Sequence, residues 1–242
     1  MAVRAPVIQR EVRPGRVRRG LRITRQLGGA LLLAWLCSIG LEWIGMTWWW
    51  PENGTAHAER MLQEELGYLN HNFKDSLVST APVRLVARTA RAVRHYAFVV
   101  TGYLRWVSRL PPLSTPGTQW RGSVAAALGS IQPYLAVVPV VTQTFIVRLC
   151  VLALATPVFT LCGIVGLAEG LMRRDLRRWG GGRESSFIYH HGKQVLAPAL
   201  LAAWMLYLAM PVSLPPSLIL LPFALLFGVG VAVTASTFKK YL

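Results

Sequence analysis

The amino-acid sequence predicts an all-α integral membrane protein, with four transmembrane helices and a helical extracytoplasmic domain between the first and the second. Three observations predict this class. Of the 242 residues, 53% are hydrophobic and only 15% are charged, although the formal net charge is +16. The mean hydropathy of +0.42 excludes a disordered basic protein, which would need low hydrophobicity. The apolar residues also occur in runs near the length of about 20 residues that crosses a bilayer.

Four such runs are present. The first, residues 27–50, carries one charged residue, Glu42, and is followed by Pro51 after three tryptophans. Tryptophans of this kind anchor a helix at the level of the lipid headgroups. Three further runs, 149–168, 195–212 and 217–238, carry no charged residue. Each contains a proline, which a transmembrane helix tolerates because neighbouring groups satisfy the freed carbonyl.

These runs divide the chain into eight segments. They are a basic cytoplasmic N-terminal segment (1–26), transmembrane helix 1 (27–50), a periplasmic helical domain (51–133), an outer helical extension with transmembrane helix 2 (134–172, span 149–168), a basic cytoplasmic loop (173–194), transmembrane helix 3 (195–212), transmembrane helix 4 (217–238) and a cytoplasmic tail (239–242). The uncharged stretch 122–147 could hold a fifth span. Its first half is poorly apolar, so we interpret residues 133–147 as an outward extension of the second span.

The basic residues predict the orientation, because lysine and arginine in short flanking segments stay in the cytoplasm. Eight arginines precede the first run, six basic residues lie between the second and third runs, and Lys239 and Lys240 follow the fourth. With four spans, all three segments fall on the same side. We therefore predict a multi-pass protein with both termini in the cytoplasm.

The extracytoplasmic segment has two helical patterns. The first has an apolar face of Leu62, Leu66, Leu69, Phe73 and Leu77. The second, from Pro82 to Pro111, has an apolar stripe of Val86, Ala90, Val93, Ala97, Val100, Leu104 and Val107, and a separate basic stripe that includes Arg84, Arg88, Arg91, Arg105 and Arg109. The two apolar faces could pack on each other, or the basic helix could lie on anionic headgroups or dock on a partner.

Aromatic residues interleave with this basic stripe, as in proteins that bind single-stranded nucleic acid through stacking and phosphate contacts. They are Tyr96, Tyr103 and Trp106. The predicted periplasmic side argues against nucleic acid as a ligand. We predict no direct nucleic-acid binding.

Glu42 and Arg148 are the ionisable residues predicted near or inside spans, where such residues are functional hypotheses by default. Both are predicted toward the outer ends of their helices, so their depths could match. We hypothesise an ion pair between them; the alternative is that each side chain reaches the outer interface separately. Glu169 and Arg173 have the spacing of a helical i,i+4 pair, which favours a structural role.

Small residues recur at the spacing that lets membrane helices approach closely. The motifs are Gly166-x-x-x-Gly170, Ala199-x-x-x-Ala203 and Ala224-x-x-x-Gly228-x-x-x-Ala232. Packing within this chain explains them as well as association with a partner does.

The cytoplasmic loop is the most distinctive segment, because four arginines stand in six residues before three glycines. Its basic residues Arg173, Arg174, Arg177, Arg178 and Arg183 are predicted to contact anionic headgroups or a protein partner. An enzyme using Arg183, His190 and His191 would need a nucleophile or metal ligands from elsewhere in the chain. We find no motif for nucleotide binding, for a serine nucleophile or for metal ligation, and the three cysteines all lie in apolar runs. We therefore predict no catalytic residue, no cofactor and no metal site.

Three long stretches resemble the integrating conjugative element membrane protein family. They are LEWIGMTWWWPENGTAHAERMLQEELGYLNHNF (41–73), VGLAEGLMRRDLRRWGGGRESSFIYHHGK (165–193) and TASTFKKYL (234–242). The resemblance implies a location in the bacterial inner membrane and a part in conjugative DNA transfer through a type IV secretion system. It implies partners such as the coupling ATPase, near whose gene these proteins are encoded, and it brings no catalytic residues. We expect a non-enzymatic accessory or scaffold; the alternative is a small transporter or pore using Glu42 and Arg148.

Overall fold

The computed structural model describes residues 16–74, 81–110, 119–179, 201 and 204–237. In these ranges all regular structure is helical, and the all-α prediction is confirmed to that extent. The elements are α1 (Arg16–Trp48), α2 (Thr55–Lys74), α3 (Ala81–Arg94), a π-helical segment (His95–Val100), α4 (Tyr103–Ser108), α5 (Gln119–Trp179), α6 (204–209) and α7 (Pro216–Ser236).

Helix α5 is the axis of the molecule. Its 61 residues extend about 90 Å at 1.5 Å per residue. Residues 122–147, where a fifth span was considered, lie in the same unbroken helix as residues 149–168. Three prolines lie inside it, and each removes one backbone donor.

At Pro139 the structure supplies a replacement for the missing donor. A residue at 139 would ordinarily donate to the carbonyl of Leu135, and the Tyr103 hydroxyl donates to that oxygen instead, at 3.0 Å. Burial raises the pKa of the Tyr103 phenol, so it keeps its proton as a donor. The proline thereby creates an attachment point for α4.

Helix α1 runs antiparallel to the first half of α5. The indole of Trp35 donates to the Thr142 hydroxyl at 3.1 Å, and the indole of Trp43 donates to the Tyr134 carbonyl at 2.9 Å. Helices α2 and α3 pack beside the same half, where Val86 and Ala90 join a buried cluster around Val147. Helix α1 therefore lies mainly beside the residues predicted as the outward extension.

Helix α7 runs parallel to the second half of α5. A Cβ on Gly166 would overlap the backbone of Gly228, and a Cβ on Gly170 would overlap the backbone of Ala232. These small residues therefore pack against each other within this chain, which decides between the two interpretations for these two motifs. Helix α6 runs antiparallel to α5, because Trp204 contacts Phe159 whereas Tyr207 lies near Arg148.

Within the described ranges, three helices are long and apolar enough to cross a membrane: Thr24–Trp48, Gly129–Leu176 and Pro216–Ser236. In the predicted span at 195–212, residues 195–200, 202 and 203 lie outside the described residues; of the described ones, 201 and 204–209 are helical. The loop residues Arg183, His190 and His191 and the motif Ala199-x-x-x-Ala203 also lie outside them.

The structure of residues 81–108 departs from the single helix predicted there. It changes to a π-helix at His95, breaks at Gly102, whose φ is +78°, and resumes as α4. Because a π-turn holds more residues than an α-turn, the buried face shifts along the sequence. Phe98 is buried, whereas Ala97 and Val100, which the sequence places on the apolar stripe, are exposed.

Candidate functional site

Arg148 is 2% exposed and lies where α2, α5 and α6 meet. Its Nε and Nη2 atoms donate to Oε1 of Glu65 on α2, at 3.0 Å and 2.8 Å. Glu65 is itself fully buried. The two form an ion pair shielded from water, in which each charge depends on the other because an unpaired buried charge is costly.

The remaining guanidinium donors reach backbone carbonyls at the end of α6. Nη1 donates to the carbonyls of Tyr207, at 3.3 Å, and Met210, and Nη2 donates to the carbonyl of Val212 at 2.7 Å. The last carbonyls of a helix have no partner within it and carry partial negative charge. Arg148 therefore caps α6 and fixes the turn that leads into α7.

The site also has an aromatic wall. The Arg148 Cζ atom lies 5.7 Å from the centre of the Tyr207 ring, within the range of a cation–π contact. The sulfur of Met61 lies 3.8 Å from Nη2. Glu65 thus neutralises the charge of the guanidinium, while Tyr207 and Met61 pack against it.

Arg148 compensates only partly for the burial of the Glu65 carboxylate. Burial raises the pKa of the Glu65 carboxyl, and the charge and hydrogen bonds of Arg148 offset only part of that increase. Ser213 lies close enough to lower the pKa slightly, yet no hydrogen bond of ordinary geometry joins its hydroxyl to the carboxylate. Glu65 Oε2 has no hydrogen-bond partner among the residues that the structure describes.

Glu42 has a different partner. Its Oε1 atom lies 3.0 Å from Nδ1 of His57, near the start of α2. The imidazole stacks on the Trp50 ring, with 3.9 Å between ring centres. The Trp50 ring in turn occupies the space where a Cβ of Gly45 would be, so a glycine is needed at this turn of α1.

The predicted ion pair between Glu42 and Arg148 is therefore wrong, and so is the alternative of two separate interfacial side chains, since both are buried. The reason is that Glu42 and Arg148 lie at different positions along the axis of α5. Trp43, next to Glu42, bonds to the carbonyl of Tyr134, which precedes Arg148 by 14 residues on α5. That separation is about 21 Å along the helix.

Glu65 and His57 are the site residues that sequence reasoning missed. The spacing of Met61, Glu65 and Leu69 places Glu65 on one helix face with two buried apolar residues. The predicted face instead followed Leu62 and Leu66, which are only half-buried. An acidic residue on the buried face of an amphipathic helix was the available indication of a buried cationic partner.

The predicted basic residues lie on the surface where they are described. Arg84, Arg88, Arg91, Arg105 and Arg109, predicted as the basic stripe, are all exposed. Near the end of α5, Arg173 Nε donates to Glu169 at 2.7 Å, which confirms the i,i+4 pair, and Arg174 pairs with Asp175 at 3.2 Å.

A model of the family described as DtrJ-like, IncC plasmid conjugative DNA transfer protein DtrJ-like, matches residues 49–239. This chain belongs to the DtrJ-like family. The match contains Arg148, Glu65 and the end of α6, whereas Glu42 precedes it. No curated protein and no solved structure matches the chain.

Membership of the DtrJ-like family confirms the expectation of a conjugation-related family. The narrower expectation, a membrane protein of an integrating conjugative element, stays a prediction. The DtrJ-like chain is thus a component of conjugative DNA transfer, and its described part has three helices suited to a membrane and a buried Glu65–Arg148 ion pair that joins α2 to α5.

Proposed function

We propose that this DtrJ-like protein is a non-enzymatic accessory or scaffold of the conjugative type IV secretion apparatus of an integrating conjugative element. In this proposal it is a multi-pass protein of the bacterial inner membrane, with both termini in the cytoplasm. Its partner is the coupling ATPase or another inner-membrane component. The observation that carries the proposal is that Arg148 is used entirely for joining helices.

The contacts of Arg148 support a scaffold. Its guanidinium donates to Glu65, to the sulfur of Met61 and to carbonyls at the end of α6. Such a site fixes the outer helices to the helical pair formed by α6 and α7. A rigid link of this kind suits a protein that holds other components in position.

The helix directions support the four-span topology. Helices α5 and α7 run parallel, so the chain between them has to return over the same length. Helix α6 runs in the returning direction, and α1 runs opposite to α5. Directions that alternate in this way are what four consecutive crossings require, and the basic segments then share one side.

A pore that uses Glu42 and Arg148 has less support. Such a path would need both charges on one water-accessible face. Glu42 lies beside the Tyr134 end of α5, about 21 Å from Arg148 along the helix axis, and each charge is buried against a partner of its own. The contacts favour two separate packing sites.

The proposal is tested in a donor strain from which the gene is deleted. We expect DNA transfer to fall in the deletion strain, to return with the wild-type chain, and to return only weakly with Arg148→Gln. Arg94→Gln changes an exposed arginine of α3 and serves as the matched control, with full complementation. Affinity purification after crosslinking should recover the coupling ATPase or another inner-membrane transfer protein. Normal DNA transfer by the deletion strain, together with recovery of no such protein, would contradict the proposal.

A further inference from the structure

A groove of about 320 Å³ runs between α5 and α7 near the end of α5. Large apolar side chains form its walls; they include Leu161 and Val165 on α5 and Leu225, Val229 and Val233 on α7. Four of these side chains are 60–64% exposed: Leu161, Val165, Leu225 and Val229. The groove therefore presents apolar surface to the surroundings of the helical pair.

The packing of the two helices explains the groove. Gly166 and Gly228 bring the backbones into contact, so the larger side chains on either side of that contact line are spread apart. On one side the aromatic rings of Phe159, Trp204 and Phe227 fill the gap, with centre distances of 5.9 Å and 6.2 Å from Phe159. The groove lies on the other side of the contact line, away from α6.

One end of the groove is charged. Glu169 and Arg173 line it there and form an ion pair with each other. The last two turns of α5 also contain Arg174, Arg177 and Arg178 against a single acidic residue, Asp175. By sequence the end of α5 next to the groove has a net positive charge, while the walls of the groove are apolar.

The length of the groove matches one leaflet of a bilayer. From Leu161 to Arg173 the helix rises about 18 Å, and half of a hydrocarbon layer of about 30 Å is about 15 Å. An acyl chain would lie along the apolar walls while a phosphate lies at the charged end. Arginine suits that end because its fork of donors matches phosphate oxygens.

We propose that this groove binds an anionic phospholipid, with one acyl chain between α5 and α7 and the headgroup phosphate at Arg173 and Arg174. The inference goes beyond the conjugative role and rests only on the part of the proposed function that places α5 and α7 in a membrane. A second protein helix fits less well, because its close approach would need small residues, and Gly166 and Gly228 are already in contact with each other.

The test uses the purified full-length chain in detergent, with native mass spectrometry to count bound lipids. Phosphatidylglycerol is the anionic probe and phosphatidylethanolamine the zwitterionic probe. We expect one phosphatidylglycerol per chain to persist after phosphatidylethanolamine has dissociated. The double variant Arg173→Gln/Arg174→Gln should weaken phosphatidylglycerol binding by at least about tenfold, and Arg173→Lys/Arg174→Lys, which keeps the charge but loses the fork of donors, should weaken it less.

A groove-filling variant separates the site from the general lipid shell. Val229→Phe places a larger side chain in the groove, and Leu226→Phe makes the same type of change at a residue of α7 that is 63% exposed and outside the groove. Only Val229→Phe should lower the occupancy, and circular dichroism checks that both variants fold. Equal retention of the two lipids, equal effects of the two variants, or a dimer that Val229→Phe dissociates would overturn the proposal. None of these outcomes depends on DNA transfer, so failure here leaves the conjugative role standing.

Discussion

Arg148 and Glu65 lie on different helices, and each supplies the charge that makes burial of the other tolerable. The ion pair contributes little net stability by itself, because removing two charges from water is costly. Loss of one partner is a different matter, since the remaining charge stays buried without compensation. Single substitutions here should therefore have much larger effects than the same substitutions on exposed charges.

Glu65→Gln tests this expectation. Arg148 would lose its counter-charge while staying in place through its carbonyl contacts, and we expect a loss of about 3–5 kcal/mol in the free energy of unfolding. Denaturant unfolding of the purified chain in detergent measures it. Glu64→Gln, at the exposed neighbouring position, should change the free energy little. Similar small effects from both would mean that Glu65 is hydrated.

A double-mutant cycle assigns the partner of Arg148. Glu65→Gln combined with Arg148→Gln should be strongly non-additive in the free energy of unfolding, because both single changes break the same ion pair. Glu42→Gln combined with Arg148→Gln should be additive, because the two residues have separate partners. Additivity in the first cycle and coupling in the second would restore the pairing predicted from sequence.

Sequence reasoning identified Glu42 and Arg148 as unusual because charged residues stand out in apolar runs. Their partners were not predictable in the same way. His57 and Glu65 belong to a polar helix, where charged residues are ordinary, and their burial depends on how α2 lies against α1 and α5. That arrangement is a property of the tertiary structure, which composition and periodicity do not encode.

Among the elements, the helical segments of residues 81–108 show how a local irregularity changes which residues are buried. The apolar spacing before Arg94 predicted the buried residues Val86 and Ala90. After Arg94 the π-helical segment moves Phe98 into the packed face and leaves Val100 60% exposed. A periodicity argument assumes a constant helical repeat, so it fails where the repeat changes.

Two truncations distinguish the π-helical segment from a regular helix. Phe98→Ala should lower the free energy of unfolding by about 3–5 kcal/mol, because it removes a buried ring. Val100→Ala should have a small effect, since that side chain is exposed. Thermal unfolding followed by circular dichroism compares the two. A larger effect at Val100 than at Phe98 would show that the regular α-helix of the sequence prediction is the correct description.

For the molecule as a whole, the two halves of α5 have different surroundings. The first half packs beside α2 and α3, which carry exposed charged residues, and the second half packs beside the apolar α7. In the proposed topology the second half lies in hydrocarbon, and so does the part of the first half beside α1, whose Trp35 bonds to Thr142. This part of the arrangement follows from helix contacts, whereas the sequence showed only one long uncharged stretch interrupted by Arg148.

Cysteine labelling in intact membranes tests this division. In a chain whose natural cysteines are replaced, Ile131→Cys should react with a membrane-impermeant maleimide added from the periplasmic side. Ile164→Cys should stay unreacted, because lipid covers it. Both side chains are exposed on the isolated chain, at 49% and 60%, so accessibility in the fold does not explain a difference. Protection of both positions would place the whole of α5 in the membrane.

The length of α5 has a mechanical consequence. In the proposed topology a bilayer about 40–45 Å thick with its headgroups leaves roughly 45 Å of this helix of about 90 Å outside the membrane. A tilt of about 10° at the membrane would move the far end of that projection by about 8 Å. Arg148 joins the turn between α6 and α7 to α5, so it lies near the point about which such a tilt would turn. Small movements of the membrane helices would thus be transmitted to the outer helices as displacements large enough to make or break a contact with a partner.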